Sequence, residues 1–295
     1  MNIFKKKKLL VTHNGTFHAD DIFATAALSI LCDGNIKVVR TRDTAIMLKA
    51  DFLYDVGGEY NPITNRYDHH QPGGAGVRAN GVPYSSFGLI WKQYGERLCG
   101  SMEVADLVDQ KIVQPIDAND NGIDTFSLKN AGGLYVIQNF LYAFRPTWKE
   151  PAEYDIAFFK CVDFAKILLK REIVRARAQV EAKNIIESFY EKALDKRIIE
   201  LDAQYPWKDF ILQHEEPLYI ISPKDGMWRI ECVLKERYSF ENRKSLPESW
   251  AGLRDEALEK VTGVKGASFC HNGRFLIVAK TRVAIIELAK KALLA

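Results

Sequence analysis

Strand-like and helix-like segments alternate through the opening part of the chain, and that alternation restricts the fold more than any other feature. Residues 8–13 read as a buried strand. ADDIFATAALSILC (19–32) reads as a helix with Asp20 and Asp21 in its first turn, where acids suit the helix dipole. IKVVR (36–40) is a second strand, DTAIMLKA a short helix with Asp43 as its cap, and DFLYD (51–55) a third strand. Strands separated by helices predict an α/β fold with an open, mainly parallel sheet flanked by helices. ITNRY then reads as a short extended run leading into Asp68-His69-His70. The glycines and prolines of QPGGAGVRANGVPYSS mark a loop, and helical patterns resume around 85–98 and 101–120.

A nearly Gly- and Pro-free helical stretch runs from about 153 to 194, too long for a typical globular helix, so a break or a bridge between domains is expected. RIIEL, PLYIIS, RIECVL, ASFC and RFLIVAK follow as short strands, and TRVAIIELAKKALL closes the chain as an amphipathic helix. The expected division is a catalytic domain over 1–150, a helical connector over 151–195 and a smaller α+β domain over 196–295. Phe158, Phe159, Phe164, Ile167 and Leu168 recur at helical spacing and read as core, not as a base-stacking platform.

At 295 residues, 47% hydrophobic and 27% charged, the chain has the make-up of a soluble globular protein. Charges interrupt its apolar runs well short of a spanning length, and MNIFKKKK is not followed by a secretory core, so a cytoplasmic address without membrane attachment is expected. Five scattered cysteines without a CxxC pair argue against disulfides and a thiolate zinc site. A net charge of +3 permits a polyanionic substrate without demanding one.

The chemistry concentrates where strands end. His13 closes the first strand, Asp55 the third, and Asp68-His69-His70 follows the next; His18 and Asp20 open the first helix. In an open α/β sheet such positions converge on one crevice at the carboxyl edge. Several carboxylates brought together there repel unless a cation lies between them, and one or two divalent ions are the natural counter-charge. Carboxylate and imidazole donors without thiolates suit Mn²⁺, with Mg²⁺, Co²⁺ or Zn²⁺ left open. Asp117 and Asp120 in PIDANDNG lie three apart and fit one helical face. The DNG context favours Asp120, and Asp117 stays a candidate. Asp21 reads as a helix-dipole acid, Asp51 and Asp124 as loop or strand-edge acids. Arg78, beside Asn80 in the loop after DHH, is a candidate substrate contact.

HNGTFHADD, YDVGG, DHH and DANDNG, in that order, resemble the metal motifs of the DHH phosphoesterase superfamily. The finer wording, THNGTFHADD with DHHQPGG and DANDNG, is similar to the melanocyte-proliferating-gene (Myg) protein family. RKSLPESWAGLRDEAL and GVKGASFCHNGRFLIVAKT extend the resemblance over nearly the whole chain. It implies a metal-dependent 3′→5′ exoribonuclease using two divalent ions. His13, His18 and Asp55 would hold one ion; Asp20, Asp55, His69 and Asp120 the second, with Asp55 shared. His70 would face the phosphate as acid or hydrogen-bond donor, Asp68 would orient a histidine, and the two metals would acidify the attacking water. It also raises His271 and Arg274, in a hairpin turn, and more weakly Arg243 and Lys244, as substrate-phosphate contacts on a smaller domain that closes over the site. One departure stands out: the superfamily pattern has an aspartate where this chain has His18, with one residue fewer before it.

The leading expectation is therefore a phosphodiesterase trimming RNA or another short nucleotide chain. A small-phosphate hydrolase acting on pyrophosphate or a phosphorylated nucleotide is the enzymatic alternative, with RKS (243–245) as its thin support. A metal-binding regulatory protein without catalysis is the alternative of another class. The long helix offers a surface for a homo-oligomer.

Overall fold

The computed structural model describes residues 6–123, 134–237 and 239–295. Lys5 and Asp124 lie outside the described residues. The chain divides into two compact units, residues 1–177 and 178–295, with the division inside one long helix.

In the first unit β1 (Lys8–Thr12), α1 (Ala19–Leu31), β2 (Ile36–Arg40), α2 (Thr44–Met47) and β3 (Phe52–Tyr54) follow the expected alternation. Asp43 caps α2 by accepting the Ala45 N–H. β4 (Tyr60–Asn61) and β5 (Arg66–Tyr67) complete a sheet of order β2-β1-β3-β5-β4, parallel except for the β4 edge. The run ITNRY is not a continuous strand. Pro62 fixes a helical φ, the Asn61 side chain accepts the Ile63 N–H, and Pro62–Thr64 coils into one 3₁₀ turn. Asn65 then turns left-handed at φ 56°, leaving only two residues to pair.

α3 (Ser86–Cys99) packs against α1, and both bury apolar side chains, among them Ile22, Phe23, Leu28, Phe87, Leu89 and Ile90. α4 (Met102–Val108) and α5 (Gln114–Asp120) are joined by a wide π turn over Asp109–Val113. Pro115 lacks an N–H and its ring would crowd the carbonyl four residues back, so the helix widens just ahead of it. α6 (Ile137–Tyr142) precedes α7 (Tyr154–Lys192), which runs unbroken for 39 residues. Phe158 is fully buried, as its spacing suggests. Phe159, Phe164 and Ile167, read from the same spacing as core, are instead 42%, 37% and 65% exposed, because their side of the helix is covered only in part, with the Phe140 ring of α6 against Phe164.

The second unit is α+β. β6 (Ile198–Glu200), α8 (Lys208–Ile211), β7 (Tyr219–Lys224), β8 (Met227–Cys232), α9 (Asp255–Thr262), β9 (Ala267–Cys270), β10 (Leu276–Ala279) and α10 (Arg282–Leu294) follow in order. The sheet has the order β6-β7-β8-β10-β9 and is antiparallel apart from β6 on β7. Tyr219, Ile230, Ile277, Ile285 and Leu288 form its core. All five cysteines are free, and no helix among the described residues is long and apolar enough to cross a membrane.

Candidate metal centre

Three parallel strands deliver their following residues to one place. His13 follows β1, Asp55 follows β3, and Asp68-His69-His70 follows β5; α1 and α5 bring Asp20, Asp21 and Asp120. Asp55 is buried and holds a left-handed φ of 55°, a conformation costing about 1–2 kcal/mol for a residue with a Cβ. That turn aims the carboxylate into the cluster, where its two oxygens face different imidazoles. Oδ2 lies 3.1 Å from His13 Nε2 and Oδ1 lies 3.4 Å from His69 Nε2. His69 Nε2 also lies 3.2 Å from Asp120 Oδ2 and 3.9 Å from Asp20 Oδ2.

The electrostatics show what is needed to balance this cluster. Neither oxygen of the fully buried Asp20 meets a hydrogen-bond donor. Burial first, then Asp55, Asp120 and Asp21, push its carboxyl well above the usual carboxylate range. Burial alone would lower the His13 pKa, but Asp21 and Asp55 outweigh it and raise it to about 10. For His69, Asp120 and Asp55 do the same against burial, also to about 10. Asp55 moves the other way: its burial is overcome by the two histidines, which hold it below its ordinary value. Protons on the imidazoles thus act where a stronger positive charge fits. The ligating atoms of His13, His18 and Asp55 lie within 4.8 Å of one another, as do those of His18, Asp20 and Asp120, and those of Asp55, His69 and His70. Orphaned buried carboxylate oxygens among neutralisable imidazoles are a donor set that fits divalent cations.

His70 and Asp68 stand at the mouth. The Asp68 carboxylate is buried, accepts the backbone N–H of His69 at 2.8 Å, and lies 2.7 Å from His70 Nδ1. The His70 ring is 61% exposed, and Asp68 is the main cause of its raised pKa. This is the arrangement of an orienting carboxylate behind an accessible imidazole.

Asp117 lies apart from this cluster. It is fully buried, with Arg78 Nη1 at 2.7 Å, the Ser85 hydroxyl at 2.5 Å and the Gly88 N–H at 3.1 Å. A Cβ on Gly88 would sit 1.8 Å from its Oδ2, so glycine there lets α3 approach. Of the pair three residues apart, Asp120 faces His69 and Asp117 is a structural anchor. Arg78 is the other half of that anchor. Its buried guanidinium also holds Asp109 at 2.8 Å and stacks on Tyr84, so it is not open to a substrate as its loop position suggested.

In the second unit, Arg243 donates to the carbonyls of His214, Glu215, Pro217 and Leu212, and Lys244 donates to Leu293 O at the end of α10. Both hold the fold together. His271 Nδ1 accepts the Gly273 N–H, and its ring lies 4.2 Å from Phe275. Arg274 has a left-handed φ of 56°, and its guanidinium makes no hydrogen bond or ion pair among the described residues, which leaves it available.

Several residues around the cluster have roles that the sequence alone does not give them. Asp21 does more than suit a helix dipole: Oδ1 accepts the His18 N–H and Oδ2 lies 3.2 Å from His13 Nε2. Its spacing from His18 is that of a capping box, the one signal available. Arg40 bonds Gly15 O and Asp155, Arg42 bonds Asn14, and Arg145 bonds Phe17 O while lying over the Tyr142 ring. Together these three arginines brace the loop between His13 and His18.

The family model named MYG1_exonuc, described as "Uncharacterised protein family (UPF0160)", matches residues 9–293. This chain belongs to the MYG1 family. The MYG1 exonucleases of Mus musculus and Homo sapiens are each 33% identical to it over 96% of its length and 84% and 85% of theirs. The MYG1 protein of Schizosaccharomyces pombe is 31% identical over 96% of this chain and 97% of its own. The solved structure of RecJ from Thermus thermophilus in complex with Mn²⁺ aligns over 97% of this chain and 51% of that one. It does so at 11% identity and a TM-score of 0.29, so the fold of this MYG1 member is read from its own strand order.

Proposed function

We propose that this MYG1 member is a metal-dependent phosphodiesterase that releases nucleotides from the 3′ end of single-stranded RNA. The observation that carries the reading is Asp55, with one oxygen toward His13 and the other toward His69, beside the unsatisfied carboxylate of Asp20. We assign His13, His18 and Asp55 to one divalent ion and Asp20, Asp55, His69 and Asp120 to a second, with Mn²⁺ best suited to the donors. Two such ions, when bound, supply charge stabilisation to a phosphoryl group and a more acidic water.

The chain's own residues do the rest. Asp68 fixes the His70 ring through Nδ1, which leaves Nε2 as the atom that meets a substrate oxygen. The Asp68 carboxylate raises the His70 pKa and so favours the protonated ring, the form that donates a proton to the departing oxygen or a hydrogen bond to the phosphoryl group. Arg40, Arg42 and Arg145 hold the His13–His18 loop so that both imidazoles keep their places. Arg274 is the guanidinium of the second unit that we assign to a substrate phosphate. Support for a pyrophosphate-type substrate is weaker, since Arg243 and Lys244 are engaged with backbone carbonyls.

The test is a parallel assay with Mn²⁺, following mononucleotide release from single-stranded RNA and free phosphate from pyrophosphate. Nucleotide release alone supports the reading; phosphate release alone assigns the small-phosphate hydrolase. No turnover of either, with Mn²⁺ still raising the melting temperature, assigns a binding protein.

A further inference from the structure

The exposed side of α7 in the first unit combines rings with cations. Lys160, Phe164, Ile167, Arg171 and Arg175 follow one another three or four residues apart, which puts them on one side of the helix. From α6 and the turn after it, Phe140 and Phe144 extend this side: the Phe140 ring lies 4.6 Å from Phe164 and 5.4 Å from Phe144. Phe144 and Phe164 are both more than a third exposed.

The charges on this stretch have one sign to spare. Its acids are engaged, Asp163 with Lys166 and Glu172 with Lys111. Lys160, Lys170, Arg171 and Arg175 have no hydrogen-bond or ion-pair partner among the described residues. Exposed rings grouped beside unpaired cations mark a surface that a partner can use. A second copy of the chain docked here would bring the same cations together. A single-stranded polynucleotide supplies what the surface lacks, flat bases for the rings and phosphates for the cations. The surface also borders the metal centre. α6 carries Tyr142, whose ring lies 6.4 Å from that of His18, and the inner side of α7 packs Phe158 against Phe17.

We propose that Phe140, Phe144 and Phe164, with Lys160, Arg171 and Arg175, form a stacking platform for single-stranded nucleic acid outside the metal centre. It holds the body of the strand whose end is cleaved. This role for the held strand rests on the phosphodiesterase reading, whereas the binding is measured separately.

The experiment uses the full metal-loaded chain and a labelled single-stranded RNA of about 20 nucleotides with a blocked 3′ end, followed by fluorescence anisotropy. Lys160→Glu with Arg171→Glu, and separately Phe164→Ala, are each expected to raise Kd roughly tenfold. The double variant also flattens the dependence of log K on log salt by about 1.4, for two lost phosphate contacts. Turnover of a dinucleotide, too short to reach the platform, stays at the wild-type level. Unchanged RNA binding in both variants overturns the proposal, as does an equal loss of dinucleotide turnover. A wild-type dimer that the double variant splits overturns it too, by assigning the face to a second copy. If the variants lose binding but wild type releases no nucleotide, the platform stands and the hydrolase reading falls.

Discussion

Replacing Asp20 by asparagine separates the demands of folding from those of metal binding. The side chain is fully buried, and both its oxygens lack a donor. Without metal, the folded protein must protonate this carboxyl or bear an uncompensated charge, which costs several kcal/mol. Asparagine keeps the size and removes the charge. The metal-free variant is therefore expected to gain about 2 kcal/mol, the scale of one buried polar group's desolvation penalty. For a unit of this size that is an upward Tm shift of about 4–8 °C. Metal acts in the opposite sense. At a hundred times its Kd, a bound ion stabilises wild type by about 2.7 kcal/mol, and the variant is expected to keep half of the metal-induced shift or less. Thermal melts with chelator and with Mn²⁺ read both effects from the same two proteins. A metal-free variant melting below wild type, with the metal shift intact, refutes the claim that Asp20 is held in place for a cation.

The histidines set the pH dependence. With His13 and His69 raised to about 10, the metal-free folded protein holds more protons than the unfolded chain between about pH 6.5 and 10. Their stabilisation is full below about 6.5 and is lost as pH rises through 10, while bound metal displaces those protons and removes the decline. Melts at pH 6 and pH 9 with and without Mn²⁺ check this, and a metal-free Tm that rises over the window contradicts it. Arg78→Ala leaves Asp117 buried without its cation and is expected to cost about 3–5 kcal/mol in denaturant titrations, with metal stoichiometry unchanged. His70→Ala is expected to lower kcat by about 10²–10⁴ and keep its metal. Metal loss measured in that variant would make His70 a ligand instead.

The strand-end residues were legible because a parallel sheet sends successive strand ends to one edge, so order along the chain maps onto proximity. Asp117 against Asp120 was not decidable from spacing. The answer depends on Gly88 and Arg78, which reach Asp117 from 29 and 39 residues away. Arg78 misled for the same reason: a loop arginine looks open until its distant carboxylates are known. Phe159, Phe164 and Ile167 show a second limit, since helical spacing records apolar residues on a helix but not which of its sides a neighbour covers. ITNRY failed locally, where Pro62 and the Asn61 cap outweigh the extended preference of the residues around them.

The most direct test of the account is metal content and nucleotide release from single-stranded RNA, compared between wild type and Asp55→Asn. Asp55 is the carboxylate both ions share in this assignment, so two divalent ions per wild-type chain are expected, with both metal content and release collapsing together in the variant. A variant that trims RNA at the wild-type rate, or keeps both ions, contradicts the account.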